Sequence, residues 1–420
     1  MIKPNFMDKL LDGVEVEWKA IWEVTTWDKR FNAVSREKQP KVINYPYLLA
    51  SDLFKLEQDE GDVFLLSTGE RTGWTTETLA GEYIREGEVV TIPWGKSRPL
   101  KDVLKYYKGR FVTADNRIAT SSNTDKMLNK FLYYWLLNQS MLIDGFYRGS
   151  GIQHPNMASV LDMEIPIPSL KVQEKIVRIL DTFTELIAEL TAELTAELTA
   201  RKKQYEYYRD KLLTFVEGEV EWKSFGEIAK IQRGASPRPI AKFITDEENG
   251  VPWIKIGDTS PNSKYVNKTE QRITVEGAMK SRILKKGDFI MSNSMSFGRP
   301  YILNIDGAIH DGWASISDFG DKLNADFLYH YLSSGLVQNY WSSKINSGSV
   351  SNLNSDIIKS LIIPLPALFE QERIASILDK FDALISSITE GLPREIELRQ
   401  KQYEYYRNLL LSFPKEEVDE

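Results

Sequence analysis

QEKIVRILDTFTELI, residues 173–187, returns as QERIASILDKFDALI at residues 371–385, displaced by 198. IPIP at 165–168 returns as IPLP at 363–366, and KQYEYYR at 203–209 returns at 401–407, both at the same displacement. Three matches at one displacement mean a segment written twice at equal length. Such an internal repeat organises every other reading of the chain. Apolar residues in the first copy fall at Ile176, Leu180, Phe183, Ile187, Leu190, Leu194 and Leu198, steps of four and three that mark a helical seam. The second copy runs Ile374, Leu378, Phe381, Ile385, Ile388, Leu392 and Ile396. Pro166 and Pro168 set the start of the first helix, Pro364 and Pro366 that of the second, and Gly391 with Pro393 predict a kink in the second.

Between Ala188 and Thr199 the first copy carries three consecutive AELT units. Ala, Glu and Leu are good helix formers, and a four-residue period nearly closes one turn. Leu190, Leu194 and Leu198 therefore form a slowly drifting stripe, and each unit lengthens the helix by about 6 Å. Neither seam is expected to be stable alone. The economical arrangement is an antiparallel coiled coil that holds a globular unit at each end.

The intervening stretches match more faintly. VEWK at 16–19 recurs at 220–223, GEVV from Gly87 parallels GDFI from Gly287, and FLYYWL from Phe131 parallels FLYHYL from Phe327. KLLDGVEVEWK at 9–19 echoes KLLTFVEGEVEWK at 211–223, as though the repeat were circular. The plan is an N-terminal segment (1–13), a globular unit (14–160), a central helix (165–215), a second globular unit (216–358), a C-terminal helix (363–413) and an acidic tail (414–420). Short runs rich in Val, Ile, Tyr and Trp, broken by Gly, Pro, Asn and Asp, make each globular unit a small α+β domain. The fold class is α+β, with two such domains separated by two long antiparallel helices and related by a pseudo-twofold repeat.

At 420 residues, 42% apolar and 27% charged, the chain has an ordinary globular composition and room for two or three domains. No apolar run is long enough to span a membrane. Cysteine is absent and the three histidines (His154, His310, His330) are far apart, which points away from zinc and thiol chemistry and fits a reducing cytoplasm. GKS at 95–97 lacks the first glycine of a phosphate loop, and EWK at 17–19 and 221–223 reads as strand rather than nuclease. We expect no catalytic residue, metal or cofactor in this chain.

The net charge of −7 speaks against nucleic acid, yet local patches govern phosphate binding. Residues 96–117 hold Lys96, Arg98, Lys101, Lys105, Lys108, Arg110 and Arg117 against two carboxylates. Residues 264–286 are as basic and include Lys264, Lys268 and Arg272. Arg98 and Arg299 sit at matching places after a strand and a polar loop. Each could donate to guanine or pair with a phosphate or carboxylate; Asn293 or Asn116 could read adenine, and Ser294 is a further DNA-binding candidate. In KQYEYYR the tyrosines on the seam, Tyr205 and Tyr208, suit core packing. The faces around Tyr207 and Arg209, and Tyr405 and Arg407, suit two copies of one partner.

Two variable units alternating with two near-identical helical regions, a circular N-terminus and a tandem AELT repeat together resemble the specificity subunits of type I restriction–modification systems, and the AELT repeat resembles the spacer repeat of their type IC branch. The resemblance implies that each globular unit is a target recognition domain reading one half of a bipartite site in double-stranded DNA. It implies that the helices space the halves and dock two methyltransferase subunits carrying S-adenosylmethionine. Two ATP- and Mg2+-dependent motor-nuclease subunits would complete the complex. The alternative is a coiled-coil scaffold that binds protein and no DNA.

Overall fold

The computed structural model describes residue 11 and residues 16–68, 73–216, 218–260, 263–293, 298–346 and 353–414. Most of the N-terminal segment, the tail after Pro414 and Ser294 lie outside them. The chain divides into two compact units, Met1–Thr191 with Ile396–Glu420, and Ala192–Glu395. Two long helices run through the division, a central one at Leu170–Leu212 and a C-terminal one at Leu368–Leu410. The second continues unbroken through Gly391 and Pro393, where the sequence predicted a kink. Pro393 is exposed, so its ring faces water.

In the first unit a mixed seven-stranded sheet is built around Arg85–Pro93, which pairs antiparallel with Lys105–Ala114 on one side and Arg117–Ser122 on the other. Tyr47–Leu48 and Val63–Leu66 add to Lys105–Ala114 in parallel. The helix Asn129–Asn138, the predicted FLYYWL element, packs Phe131, Leu132 and Trp135 into a core shared with Ile176 and Leu180 of the central helix and Leu410, Leu411 and Phe413. Phe183 stacks on Tyr406 at 5.2 Å between ring centroids.

The second unit has two five-stranded sheets in place of one large one. One is ordered Lys230–Arg233, Trp313–Ser317, Phe289–Ser292, Pro300–Leu303, Tyr265–Val266. The other is ordered Ile244–Thr245, Gln271–Ile273, Val251–Ile254, Gly307–Ile309, Arg282–Leu284. The helix Ala325–Leu332 places Phe327, Leu328 and Tyr331 in a core with Ile374 and Leu378. Here Tyr208 stacks on Phe381 at 5.6 Å. In both units an early turn of one long helix thus meets a late turn of the other, which makes the pairing antiparallel within each.

The sequence places helix from residue 165, but Glu164–Ile167 is a strand pairing with Glu17–Ala20, and the helix begins at Leu170. Ile362–Leu365 pairs with Glu221–Ser224 in the same register, Trp18 opposite Pro166 and Trp222 opposite Pro364. Proline lacks a donor and suits such two-stranded edges. Trp18 packs on Trp135 and its indole donates to the Pro414 carbonyl, whereas Trp222 is 39% exposed and does not pack inward as expected.

Candidate nucleic-acid interface and the seats of the two domains

Each globular domain is seated on the helices by the same buried clasp. Gln173, fully buried, accepts from the Leu128 amide and donates to the Lys126 and Pro168 carbonyls. Gln371, also fully buried, accepts from the Asn324 amide and donates to Lys322 and Pro366. One side chain thereby satisfies three backbone groups where strand, loop and helix meet, which explains why the repeated stretch opens on glutamine.

Two turns on, Asp181 accepts from Tyr134 at 2.5 Å and pairs with Lys130 at 2.8 Å. Its counterpart Asp379 meets His330 at 2.8 Å and Lys264 at 2.7 Å. Burial works to raise the Asp379 carboxyl, but the His330 and Lys264 donors outweigh it and hold the group at about 2. Arg209 and Arg407 complete the seats. Arg209 lies over Tyr205 and donates to the Ser333 carbonyl at the end of Ala325–Leu332; Arg407 lies over Tyr403 and donates to Asn138 at the end of Asn129–Asn138. Both guanidinia are therefore engaged within their own unit, contrary to the partner-facing role expected from sequence; a cation at a helix C-terminus is also favoured electrostatically. Tyr207 and Tyr405 stay exposed, at 61% and 63%. Leu190, Leu194 and Leu198 are half-buried, while Leu186 is exposed.

The basic residues sort by exposure. Lys101, Lys108, Lys268 and Arg272 reach solvent, as does Arg98. Lys101 lies 4.0 Å from Glu404, Lys108 lies 3.8 Å from Glu88, and Arg272 donates to the Glu248 and Gly250 carbonyls. Arg299 lies over the Tyr301 ring. Arg110 is held between Asp62 and Glu77. Lys96 is buried against Asp144 and the Tyr147 ring. Lys105 donates to the Ser67 carbonyl, and burial, aided by the nearby Arg117, lowers it to about 8. Asn116 donates to Thr68, and the Asn293 backbone bridges Gly312 and Leu353.

Arg117 is the clear correction. It is fully buried, donates to the Val103 carbonyl at 2.9 Å, and burial lowers it to about 9, so it belongs to the interior and meets no phosphate. Lys264 is likewise committed to Asp326 and Asp379. The clasp glutamines and the seat aspartates belong to no chemical motif in the sequence, although both stand unchanged in the repeated stretch.

The family model for the "Type I restriction modification DNA specificity domain" matches twice, at residues 18–200 and 217–398. The chain belongs to the type I restriction–modification specificity subunits. It is 37% identical to the EcoR124I/EcoR124II specificity subunit of Escherichia coli, over 100% of this chain and 99% of that one. It is 35% identical to a type I restriction enzyme specificity subunit of Haemophilus influenzae strain Rd, over 97% and 98%. In fold this specificity subunit is similar to the HsdS subunit from Thermoanaerobacter tengcongensis (TM-score 0.55, 16% identity, covering 94% of this chain and 96% of that one). It is also similar to a chain from a type I R-M system studied for complex assembly and conformational transition (TM-score 0.66, 15% identity, 95% and 98%). DNA sequence recognition is its role, as a non-catalytic member of the system, and these likenesses lend the scaffold alternative no support. No helix among the described residues is long and apolar enough to cross a membrane.

Proposed function

We propose that the specificity subunit reads an asymmetric two-part DNA site, one half per recognition domain, and that the helix pair sets the distance between the halves. The observation that supports this most is the duplicated seat: two different sheet assemblies are mounted on one helical framework by the same clasp and the same strand register. Such an adapter can change what it reads without changing what holds it.

Lys101, Lys108, Lys268 and Arg272 are the phosphate-facing candidates, and Arg98 and Arg299 the candidates for guanine. Tyr207 and Tyr405 offer equivalent exposed rings to two methyltransferase subunits, which bring S-adenosylmethionine. Two motor-nuclease subunits bring ATP and Mg2+, all in the cytoplasm. One AELT unit, about 6 Å, compares with about two base-pair rises of 3.4 Å. The repeat thus acts as a type IC-like ruler.

The test is to co-express the chain with its methyltransferase and map N6-methyladenine across the genome, beside a variant lacking one AELT unit. The expected result is one two-part motif with unchanged half-sites and a spacer shortened by one or two base pairs. An unchanged spacer removes the ruler and leaves the adapter. No motif with a demonstrably active partner removes the DNA reading.

A further inference from the structure

The two seats share a clasp but differ in the charges two turns beyond it. In the first unit Lys130 and Tyr134 face Asp181, and the Thr184 hydroxyl reaches Tyr134 and Tyr403. That is one cation against one anion, with hydroxyl groups closing the rest. In the second unit Asp326 stands in the place of Lys130, His330 in that of Tyr134, and Asp382 in that of Thr184. Three carboxylates now gather where there was one.

The missing cation comes from elsewhere in the same domain. Lys264 lies 2.7 Å from both Asp326 and Asp379, over the ring of Tyr329 at 5.0 Å. His330, fully buried, places Nε2 2.8 Å from Asp379 and Nδ1 3.2 Å from the Tyr205 hydroxyl and 3.9 Å from Asp382. Lys202 and Arg299 line the adjoining cleft of about 500 Å³. His330, Asp379 and Asp382 also have the spacing of metal ligands. The Lys264 ammonium, however, already occupies the cation's place at Asp379 and would repel a dication.

We propose that positions 134 with 184, and 330 with 382, form a matching code that decides which recognition domain each helix accepts: tyrosine with threonine on the central helix, histidine with aspartate on the C-terminal one. A tyrosine at 330 leaves Asp382, whose carboxyl burial already pushes up, without the imidazole beside it. An aspartate at 184 sets a second carboxylate one turn from Asp181 with Lys130 as the neighbouring cation. Domains exchanged between the two seats should hold only when the helix position travels with them.

The code is tested on the full chain by thermal melting and hydrogen exchange, which require no DNA and so stand apart from the reading above. His330→Tyr should cost about tenfold in exchange protection across Ala325–Leu332, and His330→Tyr with Asp382→Thr should recover most of it. Thr184→Asp should loosen Asn129–Asn138, by less because Thr184 is exposed, and Tyr134→His should offset it. Because Thr184 is exposed, Thr184→Asp carries the test if His330→Tyr does not fold. Zn2+ should leave melting unchanged. Additive losses in the double variants, single variants like the parent, or a Zn2+-induced rise that needs His330 would each overturn the proposal.

Discussion

The first unit closes one seven-stranded sheet around a hairpin of long strands; the second splits the same task between two five-stranded sheets. Yet both end in a two-stranded edge of identical register, a helix with the pattern FLY, and a glutamine that binds three backbone groups. The difference teaches where each kind of selection acts. The clasp glutamine and the strand register that hold a domain on the helices are kept in both copies, while the sheets that carry its exposed loops are free to diverge. A sheet needs only a buried face and satisfied edges, whereas a clasp needs one side chain of one length at one place.

The largest test of that equivalence is to break both clasps. Gln173→Leu and Gln371→Leu keep the volume but orphan one amide and two carbonyls in each seat, and each should cost about 3–5 kcal/mol. Urea unfolding of the two variants should give matched losses, one in each unit. A marked inequality would show that the two seats are alike in geometry and unlike in weight.

The units should next part company in pH. Burial raises the Asp28 carboxyl to about 7, and Gln232 stands at the corresponding place in the second unit. A folded-state value above the unfolded one means the neutral form is favoured in the fold, so stability falls as pH rises from about 4 to 7. Asp28→Asn should therefore leave melting unchanged near pH 4 and stabilise the first unit by up to ~3 kcal/mol at pH 8. Asp379 works in the other sense. Held at about 2, below its ordinary value of 3.8, it contributes stability that is present above pH 3.8 and lost as pH falls toward 2, in the second unit alone.

The smallest expected difference lies on the surface. Lys108→Ala and Lys268→Ala should each weaken DNA binding by the intact complex about equally for all sequences, lowering the slope of log affinity against log salt by roughly one. Arg117→Met, by contrast, should alter stability and leave that slope unchanged.

The helical framework was legible because its repeat is local, ungapped and written twice. The antiparallel pairing followed from having a globular unit between the copies. Sheet order was not legible, since Thr25–Trp27 pairs with Arg117–Ser122, and Tyr47–Leu48 and Val63–Leu66 with Lys105–Ala114, by contacts far apart in sequence. Nor could a basic run be sorted into inside and outside: Arg117 opens a strand whose first four residues are buried on both faces, so alternation gave no signal. Lys264 looked like a phosphate ligand because its partner Asp379 lies 115 residues away.

The first unit is assembled from two separate stretches of chain, and the second from one. On a ribosome the order of completion is therefore the reverse of the order of writing. Leu410, Leu411 and Phe413 belong to the core of the first domain, so that core stays open while the whole of Ala192–Glu395 is being made, a delay of about 10–40 s at 5–20 residues per second. When that interval ends the second unit has every residue it needs, and the first still waits, with Ile176, Leu180 and Phe131 uncovered, for the strip of helix that shuts it.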